Sequence, residues 1–401
     1  MIAEHRSGPV TDLKVLDLSI VVAGAMAASL LADFGAEVVK VERPGVGDPL
    51  RAWGPTKDGA SLWWKVHSRN KKSITLNLAK PEGQAIAKEL VKKADVLIES
   101  YQPGTMEKWG LDYDTLSRAN PRLVMLRVSG YGQTGPYRQR PGFGTIAESM
   151  SGLVHVTGFR DGPPVLPAFP MADEVAGTFG AMAIMMALHE RDRSGKGQWI
   201  DTSLYEPLFR YLIPNVPEYE QLGIVRERFG NEHYDAAPRN LYRCKDGKWL
   251  SLSASTQGIF ERLAQGIGRP DLIQDTRFKD NASRIAHRAE LNEILQAWFA
   301  EHTLEESLKT MEESGAVVGP VYDTAMIMSD PHYRAREDIV SVPDADLGRI
   351  SMPAPVPKFS RTRGHVYATG PKLGEHNALV YAQWLGYDEA RLEALNANGI
   401  I

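Results

Sequence analysis

Residues 15–41 read VLDLSIVVAGAMAASLLADFGAEVVKV. Val15, Leu16 and Leu18 form a short β-rich run around Asp17. Residues 23–34 are dense in alanine and leucine, a helical composition, and Gly35 stands where a helix ends on a left-handed residue. Residues 37–41 return to valine. Strand, helix and strand in so short a stretch is the unit from which parallel sheets are built. Reading outward, further strands are expected at 73–78, 96–99, 123–128 and 198–203. Helices are expected at 81–94, with Pro81 in the first turn and Lys92 and Lys93 near the end, and at 173–190. This alternation predicts an α/β domain with a mainly parallel sheet, and active sites of such sheets lie at the carboxyl ends of the strands.

The pattern changes after about residue 205. Pro214 and Pro217 interrupt a stretch that is neither clean helix nor strand. Residues 240–253 read as a hairpin with Asp246-Gly247 as a type I′ turn. Helices are expected at 288–300 and 304–314, the second opened by the capping box of Thr303 and Glu306. This predicts a smaller α+β unit over roughly 230–330. Beyond about 335 the chain is punctuated by Pro343, Pro353, Pro355 and Pro357, and one more helix is expected at 377–384.

The composition bounds the function classes. The chain has 401 residues, 43% hydrophobic and 24% charged, with a net charge of −4. That is globular, long enough for a sizeable core, and without a field that would draw nucleic acid or an anionic membrane. The single cysteine, Cys244, excludes an internal disulfide and a multi-cysteine metal site. Glu4, His5, Arg6, Asp12 and Lys14 leave no room for an apolar signal core. The near-apolar run at 20–32 falls short of the ~20 residues of a membrane helix. A cytoplasmic protein is the expectation.

Gly130-Tyr-Gly132-Gln-Thr-Gly135 follows a strand and matches a dinucleotide fingerprint. That motif needs a helix to open inside it, and Pro136 and Pro141 do not open one, so a nicotinamide enzyme is disfavoured. Gly142-Phe-Gly144 precedes a short helix expected at 145–151. Arg43, Arg51, Lys71 and Lys72 form a basic cluster near strand ends, suited as a group to phosphate. The ten histidines offer no HExxH pair, and no Gly-x-Ser-x-Gly elbow is present. Asp173 opens the apolar helix and is followed by Glu174, so a plain N-cap is not its whole role; an aspartate can be a covalent nucleophile. Asp201 is read as structural.

Several longer stretches, taken in order, resemble one family. They are LADFGAEVVKVERPG at 31–45, NKKSITL at 70–76, PGTM at 103–106, Gly130 to Gly135, Ala172-Asp173, RDRSGKGQ at 191–198 and LGEH at 373–376. The chain resembles the class III CoA-transferases (formyl-CoA transferase or CaiB/BaiF-like). The resemblance implies a Rossmann-like large domain at 1–204, a linker at 205–228, a small α+β domain at 229–330, a second linker at 331–350, and a return to the large domain at 351–401. It also implies a ring-shaped chain interlocked with a second in a homodimer. The activity implied is transfer of CoA from an acyl-CoA donor to a carboxylic acid, through an aspartyl anhydride and an aspartyl-CoA thioester on Asp173. Coenzyme A and acyl-CoA would be substrates, with no permanently bound cofactor and no metal.

Carried over by position, Arg43 would lie near the adenine ring, Lys71 near the nucleotide phosphates, Tyr101 in the CoA groove and Lys108 at a phosphate. Val22 and Ala23 would line the pantetheine entrance. Two departures stand out: Ala25 replaces a proline common in the family, and Ser253-Ala-Ser-Thr256 stands where some transferases carry a glycine run. The superfamily includes α-methylacyl-CoA racemases, whose loop histidine is matched here by Phe143, so the transferase is favoured. A catalytically silent CoA-binding relative is the third reading. Arg138, Arg140 and Arg239 are the arginines that would meet a dicarboxylic substrate.

Overall fold

The computed structural model describes residues 6–401. Glu4 and His5, on which the expectation of no signal core partly rests, lie outside them. Two compact units are formed among the described residues: one from residues 6–153, 166–217 and 332–401, the other from 154–165 and 218–331.

The first unit is built on six strands: β1 (Lys14–Asp17), β2 (Glu37–Glu42), β3 (Lys71–Thr75), β4 (Val96–Glu99), β5 (Val124–Ser129) and β6 (Trp199–Ser203). All neighbours are parallel, in the order β3-β2-β1-β4-β5-β6. Residues of β2, β3, β4 and β5 are buried throughout, as expected where helices cover both faces of a parallel sheet. The chain runs outward from β1 to β3 and then returns to the other side of β1 with β4. The crevice where the two directions diverge is where such sheets bind ligands. The α/β fold with a large parallel sheet expected from the sequence is present.

One face carries α1 (Ala23–Asp33) and α3 (Met171–Ser194); α2 (Pro81–Val91) belongs to the other cluster of core residues. The small residues of α3 are explained by packing. A Cβ on Gly177 would lie 2.6 Å from the Ala23 carbonyl oxygen and from Met26 Cβ, and one on Gly180 would lie 2.8 Å from Leu126. Alanine favours a helix over glycine by about 1 kcal/mol. Gly177→Ala should nonetheless lower stability by a net ~1–2 kcal/mol because overpacking exceeds that gain. A urea midpoint at or above the parent's would show that α1 yields freely. Among the described residues α3 is also the one helix long and apolar enough to cross a membrane, longer than the 20–32 run singled out in the sequence. Its small-residue face is instead packed on α1 and β5.

The edge strand β3 is covered by the C-terminal segment. Ser73 N–H donates to His376 Nδ1 at 3.1 Å, Thr75 N–H to Asn377 at 2.8 Å, and the Tyr381 hydroxyl to the Thr75 carbonyl at 2.7 Å. The LGEH stretch therefore serves docking. Two helices end the chain, Asn377–Leu385 and Glu389–Ala397, the second capped by Asp388; the sequence reading had only the first.

The second unit holds a three-stranded antiparallel sheet, Val318–Pro320, Trp249–Ser253 and Arg239–Arg243 in that order. Helices Gln257–Gly266, Arg288–Ala300 and Leu304–Ser314 share its core with Tyr242, Leu250 and Phe299. The capping box of Thr303 and Glu306 is formed. The hairpin turn differs from type I′. Gly247 N–H donates to the Cys244 carbonyl, and of the two expected positive-φ residues only Gly247 (φ +79°) is left-handed. This is a tight turn followed by a glycine bulge, and only one residue of the loop needs positive φ. Cys244 is buried, and that burial pushes its thiol above its ordinary value, as befits a packed and inert group.

Candidate active site

Asp173 lies in the first turn of α3, behind Pro170, and is half-buried. The short helix Gly144–Met150 packs against it. An added Cβ on Gly144 would fall 2.2 Å from Asp173 Oδ2, so this carboxylate occupies the space a side chain at 144 would need. Glu148, from the same short helix, is buried and accepts the Ala172 N–H at 3.2 Å. Burial, and then the Glu148 carboxylate, push the Asp173 carboxyl up to about 6. Glu174 is pushed up to about 7 by burial and by Asp173, with Arg69 opposing. Its Oε1 is 3.3 Å from His67 Nε2. Burial, then Lys71 and Arg69, bring His67 down to about 4, so the ring is neutral at pH 7 and this contact is not an ion pair. Trp63 stacks on the ring at 5.2 Å and 8°.

Three carboxyl groups from two elements thus crowd one half-buried place. The Asp173 carboxyl is ionised at neutral pH, yet more basic than a free one. If it must be ionised to react, kcat/KM for the acyl donor should fall roughly tenfold per pH unit below about 6 and level off above it. Glu174 titrates against the same group, so the observed midpoint belongs to the pair. A pH–rate profile flat through that region would remove Asp173 from the reacting step.

A cavity of about 450 Å³ opens at the carboxyl ends of β1 to β4. Ile20 follows β1, Val41 and Glu42 end β2 and Arg43 follows it, Leu76 follows β3, and Tyr101 follows β4; all line it, with Trp109. Glu99 accepts the Tyr101 N–H at 2.7 Å and the Arg127 guanidinium at 2.8 Å, which fixes where the chain leaves β4. Tyr101 meets Trp109 edge to face at 5.0 Å, and burial pushes its hydroxyl up to about 12.

The basic cluster does not stay together. Arg43 is exposed at the cavity. Arg51 makes a two-point contact with Glu42 at 2.7 and 2.8 Å and lies 3.7 Å over Trp64. Lys72 pairs with Glu37. The Lys71 side chain is fully buried, 3.1 Å from Asp17 and 2.8 Å from the Ala25 carbonyl. Its ammonium is taken up by Asp17 and the Ala25 carbonyl. Lys108 is exposed on the helix Thr105–Lys108 that leads to Trp109. Val22 is 1% and Ala23 4% exposed, so neither residue presents a surface to solvent. Ala23 nevertheless ties the two places together. Its carbonyl faces Gly177, four residues or about 6 Å along α3 from Asp173. Ile20, three residues earlier, lines the cavity.

No helix opens inside Gly130 to Gly135. Gly132 and Gly135 take positive φ, and Asp201 accepts the Gln133 N–H with both oxygens at 2.9 and 3.0 Å, which gives Asp201 a structural task. Phe143 is 72% exposed at the start of the helix whose Gly144 meets Asp173. Arg138 and Arg140 are exposed, the latter over Tyr137. Arg239 lines a separate cavity of about 530 Å³ in the second unit. Glu148, Glu174 and His67 were not singled out in the sequence. The run Asp173-Glu174 was visible, but nothing in it indicates that Glu148 and His67 converge there.

The family model for CoA-transferase family III matches residues 10–377. The chain is 45% identical over 402 residues, all of both chains, to a succinyl-CoA–D-citramalate CoA-transferase of Chloroflexus aurantiacus. It is 43% identical over 98% of each chain to the beta subunit of a succinyl-CoA–L-malate CoA-transferase of the same organism. It is 36% identical to the succinyl-CoA:glutarate CoA-transferase of Mus musculus, over 98% of this chain and 90% of the relative. A crystal structure of a CaiB/BaiF family protein from Brucella suis superposes with a TM-score of 0.85 at 32% identity, covering 94% of this chain and all of the other. The family-model match and the full-length relatives agree, and the chain belongs to CoA-transferase family III.

Proposed function

We propose that the protein moves CoA from succinyl-CoA to a short dicarboxylic acid through covalent intermediates on Asp173. The relatives named above act on succinyl-CoA with citramalate, malate or glutarate, which supports that substrate class. The Asp173 carboxylate attacks the thioester carbonyl, the C–S bond breaks, and CoA leaves as thiolate from a mixed anhydride. The thiolate then attacks the aspartyl carbonyl, releasing succinate and leaving aspartyl-CoA thioester. The acceptor carboxylate attacks that thioester, giving a second anhydride and thiolate. Attack of the thiolate on the acceptor's carbonyl yields the new acyl-CoA and restores Asp173. No net proton or electron is exchanged, and one difficult transfer becomes reversible steps between activated acyl groups. In this reading the adenine end of CoA occupies the cavity of Arg43 and Tyr101, Lys108 lies beside a phosphate, and the pantetheine arm follows the backbone at Val22 and Ala23 toward Asp173.

The observation that carries the reading is the Asp173 carboxyl, poorly solvated, more basic than a free aspartate, and held against a glycine. Phe143, which cannot exchange a proton, favours transfer over racemisation. The test is intact-mass spectrometry after quenching with succinyl-CoA, with and without hydroxylamine. A CoA-sized, hydroxylamine-sensitive adduct on the parent and none on Asp173→Ala is expected. No adduct despite CoA binding would sink the covalent route.

The same reading makes the protein a homodimer of interlocked ring-shaped chains. Its support is apolar exposure: Met182, Met185 and Met186 on α3, and Tyr219 and Leu222 on the helix Asn215–Leu222, are all 40–70% exposed. Apolar surface of this kind marks an interaction face.

A further inference from the structure

We infer that Asp48 is a positioning residue for the CoA substrate, holding the strained turn that joins the nucleotide cavity to the nucleophile; the inference rests on the CoA-transfer reading. Val21 has φ +65°. A β-branched side chain crowds the backbone in that region, and such a conformation persists only where its surroundings over-determine it. Asp48 supplies the restraint. Its two carboxylate oxygens accept the Val21 N–H at 3.2 and 3.3 Å. One of them takes the Leu50 N–H at 2.9 Å, and the other lies 3.0 Å from Lys40 Nζ. Lys40 in turn donates to the carbonyl of Ser19. Both arms of the turn are therefore tied to one ion pair whose side chains are each 1% exposed.

The turn matters because of what it connects. Ile20, inside it, lines the cavity at the strand ends. Ala23, just after it, has its carbonyl against Gly177, one helical turn from Asp173. If residue 21 relaxed to negative φ, the backbone between the two places would take another path. The competing explanation is that Asp48 only balances buried charge, since Asp17 and Asp48 together face Lys40 and Lys71. The two explanations differ in whether the residue at 21 matters. Glycine adopts positive φ without penalty, so a glycine there needs no carboxylate to hold it.

The test is a double-mutant cycle between Asp48→Ala and Val21→Gly, read as the Kd of free CoA by calorimetry and as KM and kcat for succinyl-CoA. In the parent, Asp48→Ala should raise the CoA Kd and the KM by roughly tenfold or more, with kcat changed less. In the Val21→Gly background the same substitution should raise both by no more than roughly threefold. Asp48→Asn keeps an acceptor for Val21 and should fall between parent and Ala; if the alanine variant does not fold, the asparagine pair gives the same comparison. Equal factors in both backgrounds, or a fall in kcat at unchanged Kd, would overturn the inference. A parent protein that binds CoA and forms no new acyl-CoA would refute the transferase reading while the Kd cycle still reports on the turn.

Discussion

Asp173→Ala is expected to lower CoA transfer by roughly 10³-fold or more while free CoA still binds within about threefold of the parent affinity. The asymmetry follows from geometry. The cavity at Arg43 and Tyr101 is formed by the ends of β1 to β4, and Asp173 belongs to α3, reached through the Ala23–Gly177 contact. Removing the carboxyl also relieves Glu148 and Glu174 of a like charge, so stability should hold or rise. Initial rates with succinyl-CoA and a dicarboxylate, beside calorimetric titration with CoA, make the comparison. Residual transfer within tenfold of the parent would mean that another group carries the acyl or CoA moiety.

Gly144→Ala is the second large effect. The new methyl would stand 2.2 Å from Asp173 Oδ2, well inside van der Waals contact, so the carboxylate or the short helix must move. A displacement of about 1 Å at a reacting group costs on the order of 10²-fold in rate. We expect kcat to fall by about that factor, with CoA affinity and thermal midpoint close to the parent's. Alanine is well tolerated in a helical first turn, so folding does not oppose the change. Parent-like kcat would show that Asp173 works from a different rotamer, and that its observed contact with residue 144 is not the productive one.

Much of the sheet was legible because its local signals agree. Val96–Glu99 was read to the residue, and Glu37 and Ala23 were read as the starts of β2 and α1. Valine runs, a glycine stop and proline at a first turn are local properties. What was not legible depends on distant partners. In sequence Lys71 and Lys72 look like a phosphate cluster; the fold brings Asp17, from β1, and Glu37, from β2, beside them. Glu148 and His67 acquire meaning only where they meet Asp173 and Glu174. The helix Glu389–Ala397 was a local omission: Asp388 is an N-cap aspartate, and Leu392 and Leu395 follow at helical spacing.

The covering of β3 by the C-terminal segment has a consequence for biosynthesis. Ser73 and Thr75 bond to His376, Asn377 and Tyr381, partners some three hundred residues later in the chain. On a ribosome, β3 emerges before the second unit and its cover emerges after the whole of that unit. The nascent sheet therefore waits with an open edge while the intervening three hundred residues are made, a state that invites pairing with other chains. Emergence of residues 376–381, rather than synthesis of any one strand, is the event that lets the first unit close.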